Sequence, residues 1–210
     1  YVRGGGADQN LIILDDAPVY NAFHLFGFFS VFNGDALKSV ELTKGGFPAR
    51  YGGRLSSVLD MRMKEGNKER IQAECGIGII SSRLTIEGPL YKKKSSFLIS
   101  GRRTYIDALI APFIKGETKG GYYFYDLNAK LNYDFGDKDK LFVSGYFGKD
   151  KFYFKHKLTS ASSLSGSLGW GNATATARWN HLFSSKFFSN ASLIMSDFKF
   201  LNKQELKFQS

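Results

Sequence analysis

The sequence predicts a small mixed α/β segment followed by about seven antiparallel strands of a transmembrane β-barrel. Three observations predict it. A period-two alternation of apolar and polar residues sets in after residue 67. The connections alternate between short turns and long loops. Aromatic side chains gather near both ends of the strands.

The chain of 210 residues is 43% hydrophobic, which excludes a disordered chain, and 16% aromatic, with 20 Phe and 11 Tyr. Glycine is frequent at 23 residues and proline scarce at 4. No apolar run approaches the ~18 residues of a membrane helix. The mean hydropathy of -0.23 does not exclude a barrel, because alternating strands average out. The net charge is +10, and residues 1–66 contribute none of it. A basic surface of this kind suits anionic lipid, lipopolysaccharide or nucleic acid. Strand parity accounts for the interleaved aromatics, so no nucleic-acid partner is expected. Cys75 is the single cysteine and shares parity with Ile71, Ala73, Ile77 and Ile79, so it reads as a small apolar strand residue. The chain starts without Met or a leader and reads as a piece of a longer protein.

Residues 1–66 form the first expected domain. Leu11–Leu14 is a short buried strand, stopped by Asp15-Asp16-Ala17-Pro18. Residues 22–32 are apolar and Phe-rich. Asp35-Ala36-Leu37 starts a helical turn. Ser39–Thr43 and Val58–Met63 are strands, joined through the Gly45–Pro48 turn. Lys64–Glu69 is a polar joint, and residues 67–210 are the second domain.

In the second domain, Leu127, Ala129, Leu131 and Tyr133 alternate with Asn128, Lys130 and Asn132. Successive side chains of a strand point to opposite faces, so one face is greasy and one wet. Expected strands cover roughly 70–80, 82–90, 95–105, 122–135, 140–154, 169–182 and 186–200. Short turns lie at 91–94, 136–139 and 184–185. Ser81-Ser82 is a tight first loop, and long loops are expected at 106–121 and 155–168. One aromatic group includes Tyr105, Tyr122 to Tyr125, Phe152 to Phe154 and Trp170. The other includes Tyr91, Tyr133, Phe135, Phe142, Phe183 and Phe187. Two such belts fit the two interfaces of a bilayer.

Against this frame the first half resembles a known family. Val2-Arg3-Gly4-Gly5-Gly6, then Asn10–Val19, is similar to the core of a TonB-dependent receptor plug. Asp35–Gly46 resembles the helix–strand unit that follows it, and Ala49–Leu59 resembles the run that ends the plug. The string Gly46–Arg54 is similar to receptors from Bacteroidetes in particular. The Asp15-Asp16 pair departs from the glycan importers with lipoprotein lids, where Asp-Gly is usual.

The resemblance implies a barrel of 22 strands around the plug, of which this chain supplies about seven. It implies active uptake across the bacterial outer membrane of a siderophore, cobalamin, peptide or oligosaccharide. Partners would be the TonB complex, reached through a segment missing here, with outer-membrane lipid and lipopolysaccharide around the barrel. No bond in the ligand changes, so no catalytic residue, metal or cofactor is implied. His24, His156 and His181 have no metal-ligand spacing. The resemblance makes Arg3 and Arg50 one side of a plug–barrel ionic lock, with facing glutamates on later strands. Ligand contacts are expected at Tyr20, Asn21, Phe23, His24, Phe26 and Phe28, because clustered loop aromatics mark contact surfaces. A passive porin-like or structural barrel and an outer-membrane hydrolase are the alternative readings.

Overall fold

The computed structural model describes residues 2, 4–91, 93–114, 116–159 and 162–208, with the side chains of Ala7 and Phe26 left aside. Arg3, Lys92 and Lys115 lie outside the described residues.

The first part is built around one buried strand. The apolar run makes β1 (Asn10–Leu14), which turns back through Asp15-Asp16 into β2 (Ala17–Pro18). Both turn residues have left-handed backbone, with φ of 45° and 74°. A two-residue hairpin turn of this kind needs that conformation. Aspartate reaches it more readily than most residues other than glycine, because its short side chain bonds locally. A small hairpin follows, β3 (Phe23–His24) and β4 (Phe29–Ser30), closed by a 3-10 turn over Leu25–Gly27. Gly34–Ala36 makes another 3-10 turn, capped by Asn33 accepting from the Asp35 amide. Then come β5 (Leu37–Thr43) and β6 (Ser57–Met63). β6 lies parallel to β1 and antiparallel to β5, so the sheet order is β2-β1-β6-β5. Leu14, Val19, Val31, Met61 and Met63 form its core. The expected α/β mixture is corrected here: among the described residues of this part, helix is limited to single 3-10 turns at Ala7–Gln9, Leu25–Gly27 and Gly34–Ala36. Gly, Asn and Asp in these stretches favour turns over helical propagation.

The second part is a meander of seven strands, each antiparallel to the next in chain order. They are β7 (Gln72–Ile77), β8 (Ser81–Tyr91), β9 (Ser95–Thr104), β10 (Thr118–Asp134), β11 (Asp139–Thr159), β12 (Ser162–Ser184) and β13 (Phe187–Phe208). The short helix α1 (Ile106–Ile110) sits in the one long loop. The long loop expected at 155–168 is corrected. β11 and β12 pair from Asp139–His181 to Thr159–Ser162, and β13 follows β12 to Ser162–Phe208, so that stretch is continuous sheet. Its Ser and Gly residues looked like loop signals, but the ladder hydrogen bonds need no particular side chain.

The seven-stranded wall has inverted polarity. On β10, Asn128 is 2% exposed and Lys130 and Asn132 are buried, whereas Leu127 and Leu131 are each 47% exposed. The same outward face carries Leu84, Ile99, Val143, Phe147 and Trp179, all exposed. Ser100, Ser144, Asn172, Thr174 and Thr176 are buried on the inward face. A water-soluble sheet buries its apolar face instead. The outward aromatics fall at two levels, with Tyr123 and Tyr125 stacked at one and Tyr133 and Phe135 in contact at the other. Four aromatics expected in the belts are corrected: Tyr122, Phe124, Phe142 and Trp170 are buried on the inward face. Alternation turns every second residue of an aromatic run the other way.

The crossing from the first sheet to the wall is pinned. The Glu65 carbonyl accepts from Ser96 Oγ at 2.8 Å and Asn132 Nδ2 at 2.5 Å. Gly66 has φ 86°, and a Cβ there would run into the Phe97 carbonyl.

The polarity gives a direct expectation. A charge at a mid-bilayer, lipid-facing site costs about 2–4 kcal/mol. Ala129→Arg on the outward face should therefore lower the yield of heat-modifiable folded barrel on gels, whereas Asn128→Ala on the inward face should not. Equal yields would refute the assigned faces.

Candidate functional site

The inward face of the wall closes on the first part through three polar contacts, the first and third buried and the second half-buried. The first is at the tip of the β1–β2 turn. Lys130 Nζ lies 3.0 and 3.2 Å from the two carboxylate oxygens of Asp15, and donates to the Met63 carbonyl at 3.0 Å. Both side chains are buried. Asp15 also accepts from the Met63 amide at 3.2 Å. The ion pair is neutral and well bonded, which is the condition for keeping two charges out of water.

The second contact uses the neighbouring aspartate. Asp16 meets Arg62 at 2.7 Å and Arg178 on β12 at 3.2 Å. Arg178 and Lys130 both lie over the Phe142 ring. From Arg62 a polar chain runs back through Asp60 at 3.2 Å and Tyr51 Oη at 2.7 Å to Arg50 at 2.5 Å. Burial alone would lower the Arg62 pKa, but Asp16 and Asp60 outweigh it and the value is raised. Burial and the Asp60 bond push the Tyr51 hydroxyl up, against a smaller opposing effect of Arg50.

The third contact lies at the β3–β4 hairpin. His24 is 1% exposed. Its Nδ1 is 2.6 Å from Asp150 on β11, and its Nε2 is 3.4 Å from Asp126 on β10. Its ring stacks on Phe124 with centroids 3.9 Å apart. Asp126 is also bound by Arg102, at 2.7 and 2.9 Å, and Arg102 donates to the Ser30 carbonyl at 2.7 Å. Asp150 further accepts from Tyr122 Oη, and Tyr122 Oη accepts from the Leu25 amide at 2.6 Å. Leu25 stands at φ 48°, a strained position that these bonds hold. Burial lowers the His24 pKa, but the hydrogen bonds and charges of Asp126 and Asp150 outweigh it, so the net shift is upward.

Around these anchors the wall satisfies loop backbone. Asn172 accepts from the amides of Tyr20 and Asn21 and donates to the Asn21 carbonyl. Ser196 Oγ donates to the Pro18 carbonyl at 2.6 Å, and Asn33 donates to Ser100 Oγ at 2.7 Å.

The expected site residues fall apart into groups. Tyr20, Phe23 and Phe28 have exposed rings, with Phe28 83% exposed. Asn21 is clamped by Asn172, and the Phe26 side chain lies outside the described ones. His24 is corrected: it is sealed under the wall instead of facing a ligand space, because two carboxylates and a ring enclose it. Arg50 is exposed and bonds Tyr51, reaching the wall only through the relay described above. Arg3 lies outside the described residues. Asp15, Asp16, Lys130, Asp126, Asp150, Arg102 and Arg178 were missed. Parity places the last five on the polar face, but only folding pairs them across more than a hundred residues in several cases.

Two outcomes follow from these contacts. Because the His24 pKa is raised, its contribution is complete below the unfolded value of about 6.5 and is lost as pH rises through the folded value. Protection factors of the amides in residues 23–30, taken relative to free-peptide exchange at each pH, should fall from pH 6 to pH 9, and His24→Ala should remove that fall. Lys130→Met alone strands Asp15 and should cost about 3–5 kcal/mol. Adding Asp15→Asn should recover most of it in denaturant melts, and additive losses would show that the pair is not coupled.

No curated protein matches the chain. Among solved structures it is similar to two mutant forms of the ferric enterobactin receptor PfeA from Pseudomonas aeruginosa, at 14% and 13% identity. These similarities cover 91% and 95% of this chain and 38% and 39% of the receptor, each at a TM-score of 0.49. The siderophore receptor PirA from Acinetobacter baumannii is similar at 14% identity, over 94% of this chain and 41% of that one, with a TM-score of 0.49. The chain thus spans about two fifths of the length of these receptors. Residues 1–57, which make up most of the first sheet and the loops anchored to the wall, match the family model described as the TonB-dependent Receptor Plug Domain.

Proposed function

We propose that this chain is part of a TonB-dependent outer-membrane receptor, with residues 1–66 belonging to the plug and residues 67–210 to the barrel. The observation that carries the reading is the inverted wall closing on a plug-matching segment. An apolar outer face needs lipid as its solvent, and a polar inner face suits a lumen. Closure in lipid requires every strand edge to be paired, so the wall is a sector of a larger barrel, 22-stranded in this family. The Bacteroidetes-type reading rests on the Gly46–Arg54 string alone.

The activity is energised import of a scarce or large ligand: a siderophore, cobalamin, peptide or oligosaccharide. TonB supplies the pull, the plug moves, and the ligand leaves chemically unchanged. The polar contacts suit such work. Each joins plug to wall through charges and hydrogen bonds that water can replace. Outer-leaflet lipid and lipopolysaccharide surround the barrel. The first ligand contacts are Tyr20, Phe23 and Phe28, with Asn21 and Phe26 beside them. His24 and the Asp15-Asp16 turn hold the plug, and Arg50 supports that hold through Tyr51 and Asp60.

A tether tests import by plug movement. Asn33→Cys with Ser100→Cys should stop uptake under oxidising conditions and restore it on reduction, and an uncoupler should stop the restored uptake. Uptake indifferent to both would favour a passive pore. For the ligand surface, Tyr20→Ala with Phe28→Ala should weaken binding several-fold while stability stays within about 0.5 kcal/mol. Full affinity with lowered stability would make these residues packing elements.

A further inference from the structure

The outer surface of β11–β13 changes character abruptly along the strands. Facing outward are the odd-numbered residues of β11, because Phe142, Ser144, Tyr146 and Asp150 are buried on the inward side. Ser196 fixes the face of β13, since its hydroxyl reaches the plug at Pro18. Val143 and Phe147 on β11, and Leu193 and Met195 on β13, therefore face outward and are exposed. Beyond them, β11 presents Lys149 and Lys151, and β13 presents Lys199 and Lys203. Cross-strand register aligns the two rows. Lys149 pairs with Gly171, which pairs with Lys199. Lys203 pairs with Ser167, two residues along β12 from Gly169, the partner of Lys151. Only glycine and serine stand between the rows on this part of β12. Two strand spacings put the rows about 10 Å apart, within reach of one phosphate for two long, flexible side chains.

We propose that these rows grip a phosphate-bearing lipid of the outer leaflet, with its acyl chains on the apolar band below. The inference rests on the membrane reading above. Its depth is set independently by Tyr125 and Tyr123, which pair with Lys149 and Lys151 and mark the interface. Charge complementarity sets the partner. Among the described residues, Lys149, Lys151 and Lys203 have no carboxylate within ion-pair distance. The acids beside them, Asp197 and Glu205, meet Lys199 at 3.3 Å and Lys207 at 3.4 Å on open surface, pairs of little strength. The adjoining apolar surface selects a lipid over a free anion.

The test uses the whole receptor in nanodiscs that carry either bisphosphorylated lipid A or the same glycolipid without phosphates. Native mass spectrometry reads retained lipid. The phosphorylated form should be retained in preference, and excess inorganic phosphate should not displace it. The combined variant Lys149→Ser, Lys151→Ser, Lys199→Ser and Lys203→Ser should retain about tenfold less or lower still. Lys138→Ser with Lys186→Ser, at the opposite turns, should retain it fully. Equal retention of the two lipids, full retention by the fourfold variant, or displacement by inorganic phosphate would overturn the site. Failure of the receptor to insert into any bilayer would overturn the membrane reading first, and this one with it. Normal insertion and heat-modifiability with any of those outcomes would overturn the lipid site alone.

Discussion

Everything in this fold depends on a wall whose greasy face is turned outward. A strand has only two faces, and in β10 to β12 the polar one is committed to the inside. Whatever fills that inside meets asparagine, threonine, lysine and aspartate, so it has to bring partners for them. Buried polar groups without hydrogen bonds cost several kcal/mol each in an apolar setting. The first sheet and its loops supply those partners at the tips of their turns, where backbone groups and short side chains are free to point outward.

The Asp15-Asp16 turn shows how local and tertiary demands meet. Glycine would relax its left-handed backbone, at roughly 1–2 kcal/mol per residue gained. Glycine carries no carboxylate, however, and the turn holds Lys130 through one aspartate and Arg62 and Arg178 through the other. For the buried Asp15–Lys130 pair, losing one partner costs about 3–5 kcal/mol, more than the strain. The larger effect decides the residue type. At the hairpin the same logic holds Leu25 at positive φ, since its own amide donates to Tyr122 Oη and the preceding residue, His24, is bound by Asp150.

The import proposed above, in which a plug is held and then released, would place opposite demands on this interface. An apolar seal between plug and wall would expose greasy surface whenever the plug moved. Ion pairs and hydrogen bonds exchange for water at smaller net cost, about 0.5–1.5 kcal/mol each for ordinary hydrogen bonds. The apolar contacts across this interface are Tyr146, which joins the core of the first sheet beside Phe32, and Tyr122, Phe124 and Trp170, which pack with Leu25 and Phe29.

The sequence by itself determined the strands and their faces. Period two is a local property, and a slip of one residue would turn every apolar side chain of β10 to the wrong solvent. It also determined the positions of β1, β5 and β6 from their local apolar pattern, and the turn at Asp15-Asp16, where neighbours in sequence are neighbours in space. It did not show that β11 and β12 run on as a ladder through residues 155–168, because backbone pairing there needs no apolar signature. Nor did it show which of two adjacent aromatics, Tyr122 or Tyr123, seals the plug. Only tertiary structure decided the anchors. Lys130 reaches Asp15 across 115 residues and His24 reaches Asp150 across 126. A charge on a polar face is legible in sequence, but its partner is fixed by the register of strands far along the chain.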